Sequence, residues 1–254
     1  GNWSADTLTE DLDLSLRAQL VGWRFVFLDD LAAAGELPTD MGSFRSQQRR
    51  WVQGSAQTAR KLLPSVWSAP SFPLTSRLEA TTHLLLNAGY ALSLMLALVA
   101  APVAVLANHG ELPVVGAATG WVFWASTLSV GGFLLVAQAR RRPGGVLAAL
   151  PLLPLAFALG LGLSLSNGRA YVAGLLRPGG EFVRTPKRGT TGARRYLARG
   201  SAGESILELS LGLYCGLGVA AELARGRMLA APLLTLFAIG FVWVGAASLL
   251  ERRR

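Results

Sequence analysis

Long apolar runs dominate the chain after residue 83, whereas residues 4–67 mix apolar and polar positions. Four of these runs come close to, or exceed, the roughly 20 residues that a helix needs to cross a bilayer. They occupy residues 84–107, 114–137, 206–223 and 229–250. The pattern therefore predicts four transmembrane helices.

A fifth apolar run, residues 146–166, is interrupted by two prolines and flanked by basic clusters on both sides. Basic loops stay on the cytosolic side of a membrane. If this run is re-entrant or interfacial, the clusters at 140–142, 177–203 and 252–254 all face the cytosol. If it crosses, two of them face outward. We therefore expect a re-entrant segment, which leaves arginines such as Arg225 in the last outer turn.

The first forty residues carry a helix signal. Thr7 and Glu10 have the spacing of a capping box, in which each side chain bonds the other's backbone. Gly22 stands where a left-handed residue ends a helix. One buried stripe is expected from leucines at helical spacing: Leu8, Leu12, Leu16 and Leu20. After the helix, the apolar residues 24–28 have the pattern of a buried strand.

Residues 43–67 combine basic and apolar side chains, which favours an amphipathic helix lying at the membrane surface with its basic groups toward lipid phosphate. Pro64, Pro70 and Pro73 are expected to interrupt it. Its basic residues are Arg45, Arg49, Arg50, Arg60 and Lys61.

Composition fits a membrane protein, because 52% of the residues are hydrophobic, only 15% are charged and the mean hydropathy is +0.41. The net charge of +9 comes from arginines at the ends of apolar runs, which favours membrane orientation over nucleic-acid binding. With one cysteine and two histidines the chain predicts neither an internal disulfide nor a zinc site. Any metal would be a hard cation held by carboxylates and phosphates.

Three short motifs carry candidate chemistry. Thr9-Glu10-Asp11 supplies carboxylates at a helix start, which also simply suits the positive end of a helix. Gln47-Gln48-Arg49-Arg50-Trp51 reads as Q-x-x-R-W, which equally suits a membrane surface. Phe182-Val183-Arg184-Thr185-Pro186-Lys187 reads as F-x-x-T-x-K, in a loop that also suits anionic lipid.

In this order, the three motifs resemble those of membrane-integrated family-2 glycosyltransferases of the cellulose- and mannan-synthase-like, processive type. The resemblance implies that Asp11 is the general base, with Glu10 and Thr9 shaping its site. It implies that Gln47 and Arg50 bind the donor's pyrophosphate and that Trp51 is the platform for the acceptor sugar. Phe182, Thr185 and Lys187 resemble the gating loop that closes over nucleotide, although Arg184 departs from the usual valine.

The same resemblance implies the C-terminal part of an α/β catalytic domain of the GT-A type, followed by an α-helical membrane bundle with amphipathic interface helices. The implied parts are a remnant of the catalytic domain, the interface helices, two spans, the re-entrant segment with the gating loop, and two further spans. Their boundaries are 1–42, 43–79, 80–139, 140–204 and 205–254.

A donor-side D-x-D site is expected upstream of this chain. Asp11-Leu12-Asp13 has the right letters, but its residues point to different faces of one helix, so no metal is assigned to it. Mg²⁺ or Mn²⁺ is implied with ligands upstream, and we expect the chain to be inactive alone.

The resulting hypothesis is an inverting hexosyltransferase of the inner cell membrane, multi-pass, with its catalytic side in the cytoplasm. Its partners would be a nucleotide-diphosphate sugar, a glycan or lipid-linked acceptor and membrane lipids, but no nucleic acid. The product would be β-mannan-, glucomannan- or cellulose-like. Two alternatives stay open: a polytopic transporter or assembly protein without catalysis, and a protein that binds anionic lipid.

Overall fold

The computed structural model describes residues 3–28, 31, 33, 35–38, 40–106, 113–141, 144–180, 201–226, 228 and 230–251, with side chains of the helix beginning at Pro113 described from residue 121. In these ranges the secondary structure is entirely helical, without a strand. The helices are α1 (Glu10–Leu20), α2 (Met41–Ser68), α3 (Leu74–Leu85), α4 (Ala88–Leu106), α5 (Pro113–Arg141), α6 (Gly145–Ala149), α7 (Leu153–Gly162), α8 (Ser164–Leu176), α9 (Ala202–Ala224) and α10 (Ala231–Glu251).

The chain divides into two compact units. The first comprises Gly1–Leu92, Ser164–Ser201 and Leu250–Arg254, and the second comprises Ser93–Leu163 and Ala202–Leu249. The first unit contains the motif-bearing helices α1 and α2, and the second contains most of the apolar helices.

Helix α2 is the centre of the first unit. Six consecutive residues in its middle, from Gly54 to Ala59, are all buried, so this part of the helix is covered on every side. A side chain on Gly174 of α8 would collide with the backbone carbonyl of Gln53 and the methyl group of Ala56, so α8 packs backbone-to-backbone against α2. Apolar side chains from other segments that pack in the clusters around α2 include Leu16, Phe72, Leu84, Ala170 and Tyr171.

The predicted interruption of this helix at Pro64 is wrong, whereas its location at the membrane surface stays a prediction. Helix α2 continues through Pro64 to Ser68, and only Pro70 and Pro73 fall in the connection to α3. Three of its five basic residues are buried or bound to protein acceptors by contacts that the structure shows. Arg45 is buried, Arg60 donates to the carbonyl of Leu175, and Lys61 pairs with acidic residues of the first unit. Protein acceptors therefore satisfy cations that the amphipathic pattern assigned to lipid.

The predicted leucine stripe of α1 is confirmed, because Leu16 is buried in the α2 core and Leu12 and Leu20 pack against it. Its predicted end is confirmed too. Gly22 has φ +97°, and the N–H groups of Gly22 and Trp23 return to the carbonyls of Gln19 and Ala18, which is a Schellman motif.

The predicted capping box of α1 is wrong. The N-cap is Thr9, whose side chain makes no capping bond, and the buried Oγ1 of Thr7 has no hydrogen-bond partner in the described part of the chain. The reason is tertiary, because Thr7, Leu8 and Thr9 are all buried and a side chain of α2 accepts from the Leu8 N–H. Packing on α2 has replaced local capping.

The strand predicted at residues 24–28 is also wrong. These residues have no regular secondary structure, and the side chain of Phe27 is 88% exposed. A β-strand needs a neighbouring strand for its backbone hydrogen bonds, and the described residues supply none. An α/β domain is therefore not shown in this chain.

Among the residues that the structure describes, five helical segments are long and apolar enough to cross a membrane. They are Ala88–Leu106, Trp121–Arg141, Gly145–Gly162, Ala202–Ala224 and Ala231–Glu251. Four correspond to the predicted spans. The fifth consists of α6, a single 3₁₀ turn and α7, with prolines near the starts of the turn and of α7, where a missing N–H is tolerated. By length and composition it qualifies as a span, and the re-entrant arrangement stays a prediction.

The second unit is held by close helix approaches at small residues. A side chain on Gly162 of α7 would strike the carbonyl of Gly240 in α10, and one on Gly240 would strike the carbonyl of Ala158. Small residues that let backbones approach are typical of helix packing in membranes. Phe237 and Phe241 of α10 are fully buried.

Polar contacts also join helices of this unit. The hydroxyl of Tyr214 donates to the Leu98 carbonyl at 2.6 Å. The guanidinium of Arg225 donates to the carbonyls of Ala104 and Val105 at the end of α4. A cation at the negative end of a helix is stabilising, so Arg225 has a structural role that its position in the sequence did not indicate.

We expect Gly162→Ala to destabilise the protein by roughly 1–3 kcal/mol, because the added methyl group overlaps the backbone of α10. Gly160→Ala in the same helix is the matched control, since a Cβ there meets nothing within 4 Å. Thermal unfolding in detergent, followed by tryptophan fluorescence, measures both. Equal melting temperatures for the two variants would contradict the α7–α10 contact.

Candidate active site

The start of α1 rests directly on α2. An ideal Cβ on Gly54 would lie 2.6 Å from both Cγ2 and Oγ1 of Thr9 and 2.7 Å from its backbone nitrogen. The hydroxyl groups of Thr9 and Thr58 are 3.3 Å apart. Only glycine at position 54 leaves room for this approach, so the T-E-D segment and the Q-x-x-R-W helix are in direct contact.

This contact places the two motifs about one helical turn apart. Arg50, Gly54 and Gln57 follow the i, i+4, i+7 spacing of one helix stripe, and Trp51 and Thr58 lie on the stripe beside it. Four residues of α-helix rise by about 6 Å. The start of α1 is therefore seated about one turn beyond Arg50 and Trp51 along α2.

The side chains of both motifs are open to solvent to different degrees. Asp11 is exposed, and its Oδ1 accepts from the Leu12 N–H at 2.8 Å. Trp51 is 47% exposed, whereas Gln47 and Arg50 are half-buried. Glu10 is half-buried in the first turn of α1. The structure thus brings Thr9 against α2 and leaves a carboxylate and an indole accessible near that contact.

Asp11 and Asp13 lie in different surroundings, as their helical spacing predicted. Asp13 is fully buried, with Oδ1 at 2.7 Å from Arg17 Nε and Oδ2 at 2.9 Å from Lys61 Nζ. Lys61 also reaches Asp6 at 2.8 Å. The described residues contain no group of three or more histidine, cysteine, aspartate or glutamate side chains arranged to hold a metal.

The ion pairs shift the protonation of their members. Burial alone would lower the pKa of Lys61, but hydrogen bonds to Asp6 and Asp13 outweigh it and raise the pKa above the ordinary value. The hydrogen bond from Lys61, aided by one from Ser4, lowers the pKa of Asp6. At neutral pH the lysine is charged and ties α2 to Asp6, which precedes α1, and to Asp13 in the first turn of α1.

The segment that leaves α8 lies on the same side. The N–H of Gly179 donates to the Asp6 carbonyl at 3.0 Å, and Gly180 lies against the side chain of Leu8. Gly179 and Gly180 have φ of +65° and +151°, so glycine is needed for this path. Phe182, Thr185 and Lys187 follow, and they lie outside the described residues.

The other end of α2 is capped by two acidic residues. Asp40 accepts from the Ser43 N–H at 2.7 Å, and Glu251, at the end of α10, accepts from the N–H groups of Met41 and Gly42 at 2.9 and 3.2 Å. Carboxylates at a helix N-terminus satisfy its unpaired donors. This cap fixes the turn that precedes Gln47.

Sequence reasoning missed Gln57, Lys61 and Glu251 as supports of the site. For Glu251 and Lys61 no local signal exists, because each binds a partner distant in sequence. For Gln57 a signal exists in retrospect, because it is the one long polar side chain among the small or apolar residues 54–59.

Comparison with known proteins agrees with the motifs. The model of the family described as Glycosyl transferase family group 2 matches residues 1–159. Probable glucomannan 4-beta-mannosyltransferase 9 of Oryza sativa subsp. japonica is 28% identical over 96% of this chain and 47% of its own length. Probable glucomannan 4-beta-mannosyltransferase 10 of Arabidopsis thaliana is 47% identical over 26% of this chain and 12% of its own.

A third relative, glucomannan 4-beta-mannosyltransferase 1 of Cyamopsis tetragonoloba, is 39% identical over 31% of this chain and 15% of its own length. The chain spans less than half the length of these relatives. No solved structure matches it.

The chain combines apolar helices able to span a membrane with a T-E-D helix start that packs on a Q-x-x-R-W helix. This combination is typical of membrane-integrated glycosyltransferases. The chain belongs to the family described as Glycosyl transferase family group 2, whose model covers more than half of it. This confirms the resemblance drawn from the motifs.

We expect Gly54→Ala to lower the melting temperature, because its methyl group overlaps Thr9, including the backbone nitrogen, and must push α1 off α2. Overpacking of this kind costs roughly 1–3 kcal/mol. Gly89→Ala, where a Cβ meets nothing within 4 Å, is the control in the same unit. A Gly54→Ala protein as stable as the control would show that Thr9 does not rest on this glycine.

Lys61→Met should destabilise the protein by about 1–3 kcal/mol near neutral pH, because Asp13 stays buried with one cation fewer. Asp6 has a lowered pKa, so its share of the stability is present above the ordinary value of 3.8 and is lost as the pH falls through the lowered pKa. The free energy of unfolding of the unmodified protein and of Lys61→Met is measured from about pH 8 to about pH 3, and the difference between them should become smaller only at the acid end. A difference that does not depend on pH would exclude the Lys61–Asp6 pair as a contributor to stability.

Proposed function

We propose that this chain is part of an inverting glycosyltransferase that moves a hexose from a nucleotide-diphosphate sugar to a growing glycan at the cytoplasmic face of the cell membrane. The observation that carries the proposal is the seating of Thr9 on Gly54. This contact places the start of α1, which carries Asp11, about one helical turn along α2 from Arg50 and Trp51.

In this proposal Asp11 is the general base. The acceptor hydroxyl oxygen attacks the anomeric carbon, the bond from that carbon to the diphosphate oxygen breaks, and its electron pair leaves with the nucleoside diphosphate. The hydroxyl proton passes to the carboxylate of Asp11. A base that removes this proton in the transition state contributes about 10²–10⁴-fold to the rate. The exposed position of Asp11 leaves it open to an acceptor.

Gln47 and Arg50 are proposed to bind the departing diphosphate. A guanidinium offers planar paired donors that match phosphate oxygens. Trp51 is proposed to stack on the terminal acceptor sugar, since an indole presents a broad apolar face with a polar edge. Phe182, Thr185 and Lys187 are proposed to contact the nucleotide, with the Lys187 ammonium directed at phosphate.

The donor and product follow from the relatives and stay at the level of a proposal. Their names specify glucomannan and 4-beta-mannosyl transfer, so mannose is the first donor sugar to test, and a β-mannan or glucomannan product comes before a cellulose-like one. A divalent cation such as Mg²⁺ or Mn²⁺ does not fit the described residues, because Asp13 is engaged by Arg17 and Lys61. Its ligands are proposed to lie in an upstream α/β half, and no step above depends on it.

The test uses the full-length protein in membrane vesicles with a panel of radiolabelled nucleotide-diphosphate sugars, followed by linkage analysis of the polymer. Asp11→Asn should reduce transfer by about 10²–10⁴-fold, because the amide cannot accept the proton. Glu79→Gln, an exposed carboxylate of α3, is the control and should leave transfer unchanged.

Trp51→Ala should weaken acceptor use, and Trp67→Ala should not, although both indoles belong to α2 and are similarly exposed, at 47% and 46%. The acceptor KM separates the two. No transfer from any sugar donor by the unmodified protein, or full activity of Asp11→Asn, would overturn the proposed function.

A further inference from the structure

Gln57 is a polar residue at a buried position, where a polar side chain is destabilising unless it is hydrogen-bonded. It lies in the buried middle of α2 and is only 2% exposed. A buried carboxamide without hydrogen bonds is destabilising, so its polar atoms need partners. Its neighbours Ala56 and Ala59 show that small apolar side chains fit this part of the helix.

Each polar atom of Gln57 has a partner. Oε1 accepts from the Leu8 N–H at 3.0 Å, and Nε2 donates to the carbonyls of Arg177 at 3.1 Å and Gly179 at 2.6 Å. All three partners are backbone groups. The orientation of the amide follows from them, because a flipped amide would set NH₂ against N–H and oxygen against two carbonyls.

These bonds join segments that are far apart in sequence. Leu8 immediately precedes Thr9, and Arg177 and Gly179 immediately follow α8. A fourth bond, from Gly179 N–H to the Asp6 carbonyl, closes the ring between the two backbone segments. Gln57 therefore holds the entry to the T-E-D helix and the exit of α8 at one point of α2.

These four hydrogen bonds can affect the position of the Asp11 carboxylate. Gln57 lies on the same stripe of α2 as Gly54 and Arg50, at i+3 and i+7 from them. The bond to Leu8 fixes how far along this stripe α1 begins, and Asp11 is in the first turn of α1. A misplacement of about 1 Å at a reacting group can cost on the order of a hundredfold in rate.

We propose that Gln57 is a positioning residue for the sugar transfer: through the Leu8 N–H it sets the start of α1, and so Asp11, against the Arg50 stripe of α2. The inference rests on the proposed function. Gln57 itself touches neither sugar nor nucleotide and acts through the backbone of the T-E-D segment.

The first test is a double-mutant cycle in the full-length protein, assayed in vesicles with the nucleotide-diphosphate sugar that supports the highest transfer. Gln57→Leu should lower kcat by about tenfold to a hundredfold and leave the donor KM nearly unchanged, because Gln47 and Arg50 stay on an intact α2. In the Asp11→Asn background the same change should cost little more. An equal fold-loss of kcat in both backgrounds would show that Gln57 contributes only to general stability and would overturn the proposal.

The control is Arg60→Met. It removes another hydrogen bond from α2 to α8, the one from Arg60 Nη1 to the Leu175 carbonyl at 3.1 Å, and leaves Leu8 untouched. It should keep nearly full kcat. Gln57→Met guards against a folding failure of the leucine variant, since its unbranched side chain fills the site much as glutamine does but cannot accept from the Leu8 N–H; it should lose kcat as leucine does, and full kcat in the methionine variant would overturn the proposal.

Hydrogen–deuterium exchange tests whether Gln57 holds the start of α1, and it does not require an active enzyme. Gln57→Leu should speed exchange in the peptide covering residues 6–12, and Arg60→Met should not. Unchanged exchange there would overturn the positioning role, whatever the transfer assay shows. Faster exchange together with full activity of Asp11→Asn would instead reject the proposed base and leave the Gln57 bond in place.

Discussion

The absence of a side chain at position 54 is the constraint on which the first unit depends. Thr9 occupies the space that any other residue would fill, at 2.6 Å from an ideal Cβ. Once α1 is seated there, residues one and two turns further along α2 come within reach of it. Thr58 meets the Thr9 hydroxyl, Gln57 reaches the Leu8 N–H, and Lys61 reaches the buried Asp13. A methyl group at one glycine would act on all three contacts together.

The parts of the fold that were predictable from sequence are those set by local composition. Long apolar runs predicted four of the five candidate spans, and the leucine spacing and Gly22 predicted the buried face and the end of α1. The predictions that were wrong concern partners. The capping box at Thr7 lost to packing on α2, and residues 24–28 have β-strand composition without a strand beside them in the described ranges. Local pattern does not report such partners.

The candidate site divides in the same way. Asp11, Arg50 and Trp51 were recognisable because each belongs to a short contiguous motif. Gln57 and Glu251 were not, since Gln57 binds backbone 49, 120 and 122 residues away and Glu251 caps a helix more than 200 residues earlier. A short motif can mark candidate reacting groups, whereas the residues that hold such groups are determined by the three-dimensional arrangement. For Gln57 the only trace in the sequence is a carboxamide where the helix otherwise carries small or apolar residues.

Protein partners of the basic side chains change how the net charge of +9 is interpreted. A basic stretch beside apolar runs predicts contact with lipid phosphate, but Lys61 is engaged by Asp6 and Asp13, Arg60 by the Leu175 carbonyl and Arg225 by the last carbonyls of α4. A cation bound to a carboxylate or a helix end is less available to a phospholipid headgroup. Fewer of the 24 lysines and arginines are therefore available to lipid phosphate than the amphipathic pattern predicts. That pattern records which residues are basic and which are apolar, and it does not record the carboxylate or carbonyl that a cation meets in the folded chain.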